Sequence, residues 1–202
     1  MLKHAIVIFI SLFLIGYAAA SPGQIRPYSG CGVLIVQPLN PDRPGDTGPV
    51  PFYREPGVAR IAELSAGEIP SLSSVLTMSA GEYALAVMEK KGNWLRIAYD
   101  DAGREGWVEK ARWWDYTTWE VFLKGRFVRL LAGLKKTACT LRERPAETAP
   151  QSGMLSGREG LKIIAVEDNW VMVIADSGLH GWLPWRDGDG RFLISVDVNP
   201  GL

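Results

Sequence analysis

One segment of this chain repeats another, and that repeat limits the possible folds more than any other feature. Phe52-Tyr53-Arg54-Glu55-Pro56 answers to Leu141-Arg142-Glu143-Arg144-Pro145, and Asn93-Trp94-Leu95-Arg96-Ile97 answers to Asn169-Trp170-Val171-Met172-Val173. Asp100 then matches Asp176, Gly106-Trp107-Val108 matches Gly181-Trp182-Leu183, and Gly125-Arg126-Phe127 matches Gly190-Arg191-Phe192. Five anchors in one order point to a duplicated structural unit. The copies differ in length at two places. From Pro56 to Trp94 is 38 positions, against 25 from Pro145 to Trp170; from Gly106 to Gly125 is 19, against 9 from Gly181 to Gly190. The first copy therefore carries two inserts. One falls near Ile61 to Val75, where Gly67 and Pro70 mark a surface loop, and the other overlaps Trp113 to Trp119.

Within each copy the pattern has a period of two. Leu95, Ile97 and Tyr99 face one way, while Trp94, Arg96 and Ala98 face the other. Val171 and Val173 replace Leu95 and Ile97, so that face is the expected core. Asp100 to Gly106, Asp176 to Gly181 and the Asp-Gly pairs at 187–190 read as hairpin turns. Short strands bounded by such turns predict an all-β fold. The single helix candidate is Val58 to Leu64. Ahead of the repeat, Pro38, Pro41, Pro44, Pro49 and Pro51 exclude regular helix or central strand, leaving Val33-Leu34-Ile35-Val36 as a strand candidate.

An aromatic-containing strand, a turn and then Gly-Trp-aliphatic, preceded by Leu-Arg-x-x-Pro, resembles the bacterial SH3-like (SH3b) domain. The second copy carries the fuller match, from Leu141 through Asn169-Trp170 to Gly181-Trp182-Leu183. The resemblance implies two tandem small SH3-like β-barrels of the kind found in exported bacterial proteins that bind cell-wall peptides, glycan or protein partners. The expected organisation is a leader at 1–20, a Pro/Gly-rich arm at 21–51, a first unit at 52–133 and a second at 134–198.

The leader has three parts: Lys3, the apolar run Ala5 to Ile15 broken only by Ser11, and Ala18-Ala19-Ala20. This is a secretory signal with cleavage expected before Ser21. Sixteen residues from Ala5 to Ala20 fall short of the ~20 that cross a bilayer. A periplasmic or secreted protein with no later membrane span follows. Without Lys3 the chain holds one more acid than its Lys and Arg combined, a balance with no footprint for nucleic acid or an anionic membrane. Cys31 and Cys139 are an even pair that an oxidising compartment would allow to bridge, worth about 4–5 kcal/mol in the chain-entropy model. Two small buried hydrophobes are the alternative.

Catalytic chemistry is hard to assemble from what remains. His180 is the one histidine past the leader, and neither cysteine has a flanking nucleophile signature. No zinc spacing, closed calcium loop or Gly-rich phosphate loop is present, so no metal or cofactor is expected. All eight tryptophans lie between Trp94 and Trp185. Trp107 and Trp182 read as packing residues after turn glycines. Trp94 and Trp170 stand opposite the core face, where they line a groove or pack. Trp113, Trp114, Tyr116 and Trp119, in the insert, form either a ligand platform or the seal between two small cores. The reading is an exported, non-catalytic binding module acting through protein or peptidoglycan contact. The alternative is a structural or assembly subunit of an envelope complex, and a Cys/His hydrolase is a distant third.

Overall fold

Alternating apolar residues, interrupted by Gly and Asp every few positions, favour strands over helices along most of this chain. The computed structural model describes residues 26–40, 42–43, 45–156 and 159–197. The expected leader and cleavage site, Pro41, Pro44 and Val198 lie outside them. The described chain is all-β, with several antiparallel sheets and one short helix. The first half contains β1 (Gly32–Val36), β2 (Pro49–Glu55), β3 (Val58–Ser65), β4 (Leu76–Thr77), β5 (Tyr83–Val87), β6 (Glu89–Lys91), β7 (Trp94–Ala98), β8 (Glu105–Glu109) and β9 (Asp115–Thr118). There follow α1 (Trp119–Leu123), β10 (Phe127–Leu130), β11 (Thr140–Arg142), β12 (Gln151–Met154), β13 (Leu161–Glu167), β14 (Trp170–Ala175), β15 (His180–Pro184) and β16 (Ile194–Asp197).

The repeat survives as strand order and as register. The first copy forms a sheet ordered β3-β2-β8-β7-β6, and the second forms β12-β11-β15-β14-β13. Tyr53 pairs with Trp107 as Arg142 pairs with Trp182; Arg96 faces Trp107 as Met172 faces Trp182. Ile97 faces Gly106 as Val173 faces Gly181. The two glycines share a physical reason. A Cβ on Gly106 would lie 3.1 Å from the Phe52 ring, and one on Gly181 would lie 3.0 Å from Cβ of Leu141, the residue equivalent to Phe52. Both glycines let the opening strand of their copy cross closely. Among the described residues no sheet closes on itself into a barrel; the second is instead extended by β10, β16 and β4 to eight strands.

Leu95, Ile97, Val171 and Val173 are buried, as the period-two pattern predicts. Ile97→Ala should cost ~2–5 kcal/mol, the usual penalty for emptying a packed aliphatic site. Equilibrium urea unfolding measures it. A loss below ~1 kcal/mol would place Ile97 outside the core, contrary to its burial.

Between these sheets lies a third, ordered β5-β1-β9. The run Val33-Leu34-Ile35-Val36 has no polar face because both of its faces are covered. Leu34 and Val36 enter a first core with Phe52, Leu95 and Ile97, while Val33 enters a second with Ile163 and Val173. β5 behaves likewise, sending Leu85 and Val87 to the first core and Ala84 to the second. The strand expected within the N-terminal arm is thus the central strand of a wall shared by both cores.

Three sequence expectations are revised. Pro49 and Pro51 do not exclude an interior strand, since both lie in β2, between β3 and β8, and face Ser65 and Glu63 of β3. Val58 to Leu64 is strand, not helix: β3 pairs along β2, with a bulge opposite Phe52 and Tyr53 and Ala59 at φ 54°. The one helix instead follows Thr118, where Trp119, Phe122 and Leu123 share a buried face. The closing Gly-Arg-Phe tripeptides do not occupy equivalent environments, since Phe192 is fully buried and Phe127 is exposed.

Candidate functional site

The insert expected to be either platform or seal divides residue by residue. Trp119 is buried in the second core, 5.1 Å from the Phe192 ring and 5.6 Å from that of Trp185, and its Nε1–H donates to the Ser29 carbonyl at 2.7 Å. Trp114 is buried in the first core, and its Nε1–H has no partner among the described residues. Neither can present a ring to a ligand. Tyr116 is half-buried on β9, with Cys31 Sγ 3.8 Å from its hydroxyl; burial, then the thiol, pushes its phenol up to about 12. Trp113 alone of the four is exposed, at 45%. A side-by-side aromatic platform is therefore not formed here, and the insert joins the two cores.

Both cysteines are free thiols, so the bridge that their even count allowed is absent. Cys31 is exposed beside Tyr116, whereas Cys139 is half-buried and its Sγ lies 3.8 Å from the Lys135 carbonyl. Burial pushes the Cys139 thiol up, away from the reactive thiolate.

Trp94 and Trp170 occupy equivalent places on the outer faces of their sheets, half-buried in both cases. Around Trp94 the face is charged. Trp107 is buried beneath it, with Lys91 Nζ 4.7 Å from its ring centre, and Tyr53 meets Trp94 edge-on at 5.4 Å. Arg96 bridges Glu89 at 3.0 Å and Glu105 at 2.6 Å. Arg54, Glu55, Glu89, Lys91, Arg96 and Glu105 line an open cleft of about 310 Å³ floored by Trp107. The Arg96 Nε–H is buried and donates to nothing among the described residues. This unmet donor beside an aromatic floor is a feature that Trp spacing did not reveal. The alternation of Lys91 and Arg96 on the outward face of β6 and β7 was its one sequence trace.

A strap leading into β1 is tied to the hairpin at 187–190. Ser29 donates its backbone N–H to Gly190, Arg186 reaches the Gly30 carbonyl at 2.9 Å, and Arg26 pairs with Asp187 at 2.9 Å. Burial works to raise the Asp187 carboxyl, but the Arg191 backbone N–H and the Arg26 guanidinium outweigh it and hold it below its ordinary value. A depressed folded value means that the stabilisation is fully present above the unfolded value near ~3.9 and is lost as pH falls through the folded one. Acid titration should therefore loosen the strap below about pH 4. Hydrogen exchange at the Ser29 amide should accelerate there in the wild type, and Asp187→Asn should remove that pH dependence. Unchanged dependence in the variant would exonerate Asp187.

No protein-family model matches the chain, and no curated protein matches it significantly.

Proposed function

We propose that the protein is an exported, non-catalytic binding protein built from two tandem SH3-like units, and that it holds a protein or cell-wall peptide partner in the Trp107-floored cleft. The observation that carries this reading is the cleft itself. Arg96 stands in it between Glu89 and Glu105, Arg54 and Glu55 stand exposed at the rim, and Tyr53, edge-on to Trp94, pairs with Trp107 beside the floor. An aromatic surface with a few polar groups of both signs suits an extended peptide, which brings apolar side chains and unpaired backbone groups together. Matching strand order in the two halves supports the tandem SH3-like architecture. The secretory leader supports export.

Sedimentation with purified sacculi, run beside a pull-down from envelope extracts, tests the proposal. Wild type should be retained in one of the two, and Trp94→Ala, beside the cleft, should weaken retention. Arg96→Ala should weaken it while leaving the fold intact. Retention of an envelope protein that ignores both substitutions would favour the assembly-subunit alternative. Peptide turnover abolished at Cys139 or His180 would replace binding by hydrolysis.

A further inference from the structure

Trp107 faces outward and is nonetheless hidden. Its neighbour Val108 pairs with Leu95 and enters the first core, so the alternation of β8 turns Trp107 to the opposite face, between Tyr53 of β2 and Arg96 of β7. It belongs to neither core, yet it is only 4% exposed. Charged side chains cover it. The Lys91 ammonium stands 4.7 Å from the ring centre, and Arg96 lies opposite in register, held between Glu89 and Glu105. The second unit provides the comparison. Trp182 has the same position, but Glu167 replaces Lys91, Met172 replaces Arg96, and Ala165 and His180 replace the two glutamates. There the ring is half-buried, not hidden. The same frame without the cations leaves its tryptophan partly open.

On the reading that the cleft is the binding site, we propose that Lys91 is a displaceable cap on Trp107 and that it yields to a primary ammonium carried by an extended peptide. Lys91 is held loosely. Its side chain is 55% exposed, and its ion-pair contact with Glu89 is 3.5 Å long. An exposed pair of that kind and an exposed cation–π contact are both weak. Arg96, by contrast, meets two carboxylates at 3.0 and 2.6 Å and stays in place. Charge then selects the occupant. With Lys91 in place the lining carries three cations, Arg54, Lys91 and Arg96, and three carboxylates, Glu55, Glu89 and Glu105. With Lys91 swung out, three carboxylates face two guanidinium groups and the ring is uncovered. A negative lining around the face of an indole attracts a cation and repels an acidic peptide. An incoming ammonium recovers both contacts that Lys91 gives up, the ring and the Glu89 carboxylate. An uncharged amide offers no charge to either.

NMR of the isotope-labelled full chain, titrated with acetyl-Gly-Lys-Gly-amide, reads the exchange at the Trp107 indole N–H. That resonance should shift saturably over ~0.1–10 mM peptide, the range of a small ligand that makes few contacts. The same peptide with Nε-acetyl-lysine, or with Glu in place of Lys, should bind at least ~10-fold more weakly, since the ring contact and the ion pair are both lost. Lys91→Ala should tighten the lysine peptide ~3–10-fold, because the capped state no longer competes. Glu89→Gln should weaken it. Melting of both variants like wild type would separate these effects from misfolding. Equal shifts with all three peptides, or an affinity unchanged in Lys91→Ala, overturn the cap and its ammonium ligand. So does a lysine peptide that leaves the Trp107 resonance untouched. Retention of the partner judges the cleft separately. Its loss in Trp94→Ala beside any of those three results keeps the cleft and discards the ammonium. Retention indifferent to Trp94→Ala removes the cleft as the partner's seat, and with it the role of the cap.

Discussion

Trp119→Ala should lower stability by ~3–5 kcal/mol, a large share of the ~5–15 kcal/mol by which a domain of this kind is stable. Three effects act together at that residue. The indole fills a site among Phe122, Trp185 and Phe192, so truncation opens a cavity lined by aromatic rings that cannot collapse inward. Its Nε1–H satisfies the Ser29 carbonyl, which would lose that partner. Finally, Ser29 belongs to the strap that leads into β1, so damage at Trp119 reaches both cores. Guanidinium unfolding monitored by near-UV dichroism measures the loss. Trp113→Ala provides the contrast: an exposed ring in the same insert should cost no more than about 0.5 kcal/mol. Equal losses in the two variants would contradict the division of the insert described above.

The second unit is expected not to fold alone. Among the described residues its core has 22 that are buried, and ten of them precede residue 134: Val33, Leu72, Val75, Leu76, Ala84, Trp119, Phe122, Leu123, Val128 and Leu130. A fragment beginning at Leu134 would expose the partners of all ten and would also lose β10 and β4 from its sheet. Small domains have little burial to spare, so losing nearly half of a core removes the net stability altogether. The fragment should show no cooperative thermal transition and poor amide dispersion by NMR. The whole chain should instead unfold in one transition, with coincident far-UV and near-UV signals. A cooperatively folded fragment would mean that the shared wall is dispensable.

Legibility differed between the copies and the inserts. The faces of β7 and β14, the three hairpin turns and the strand at Val33 to Val36 could all be read from short-range patterns. So could the equivalence of Gly106 with Gly181, although its reason, the close crossing of Phe52 and Leu141, exists only in the folded chain. β3 was misread because its exposed edge carries no clean alternation, and pairing with β2 decided its state. The helix at Trp119–Leu123 left a usable trace that the aromatic content obscured: Thr118 at its start and apolar residues three and four apart. The charged cleft was less visible, since it depends on Lys91, Arg96 and Glu105 meeting across three strands.

By itself the sequence determined strand character, the hairpins and a repeat whose register holds pair by pair, because alternation and turn chemistry act over a few residues. Tertiary structure decided what the inserts do. Whether Trp119 or Trp113 is buried depends on Trp185 and Phe192, more than sixty positions away, and no local pattern encodes that meeting. The same holds for β1, whose run of apolar residues showed that it would be buried but not that two cores would share it. Burial between distant segments follows from which surfaces remain to be covered after each sheet has formed, and that is settled only when the whole chain packs.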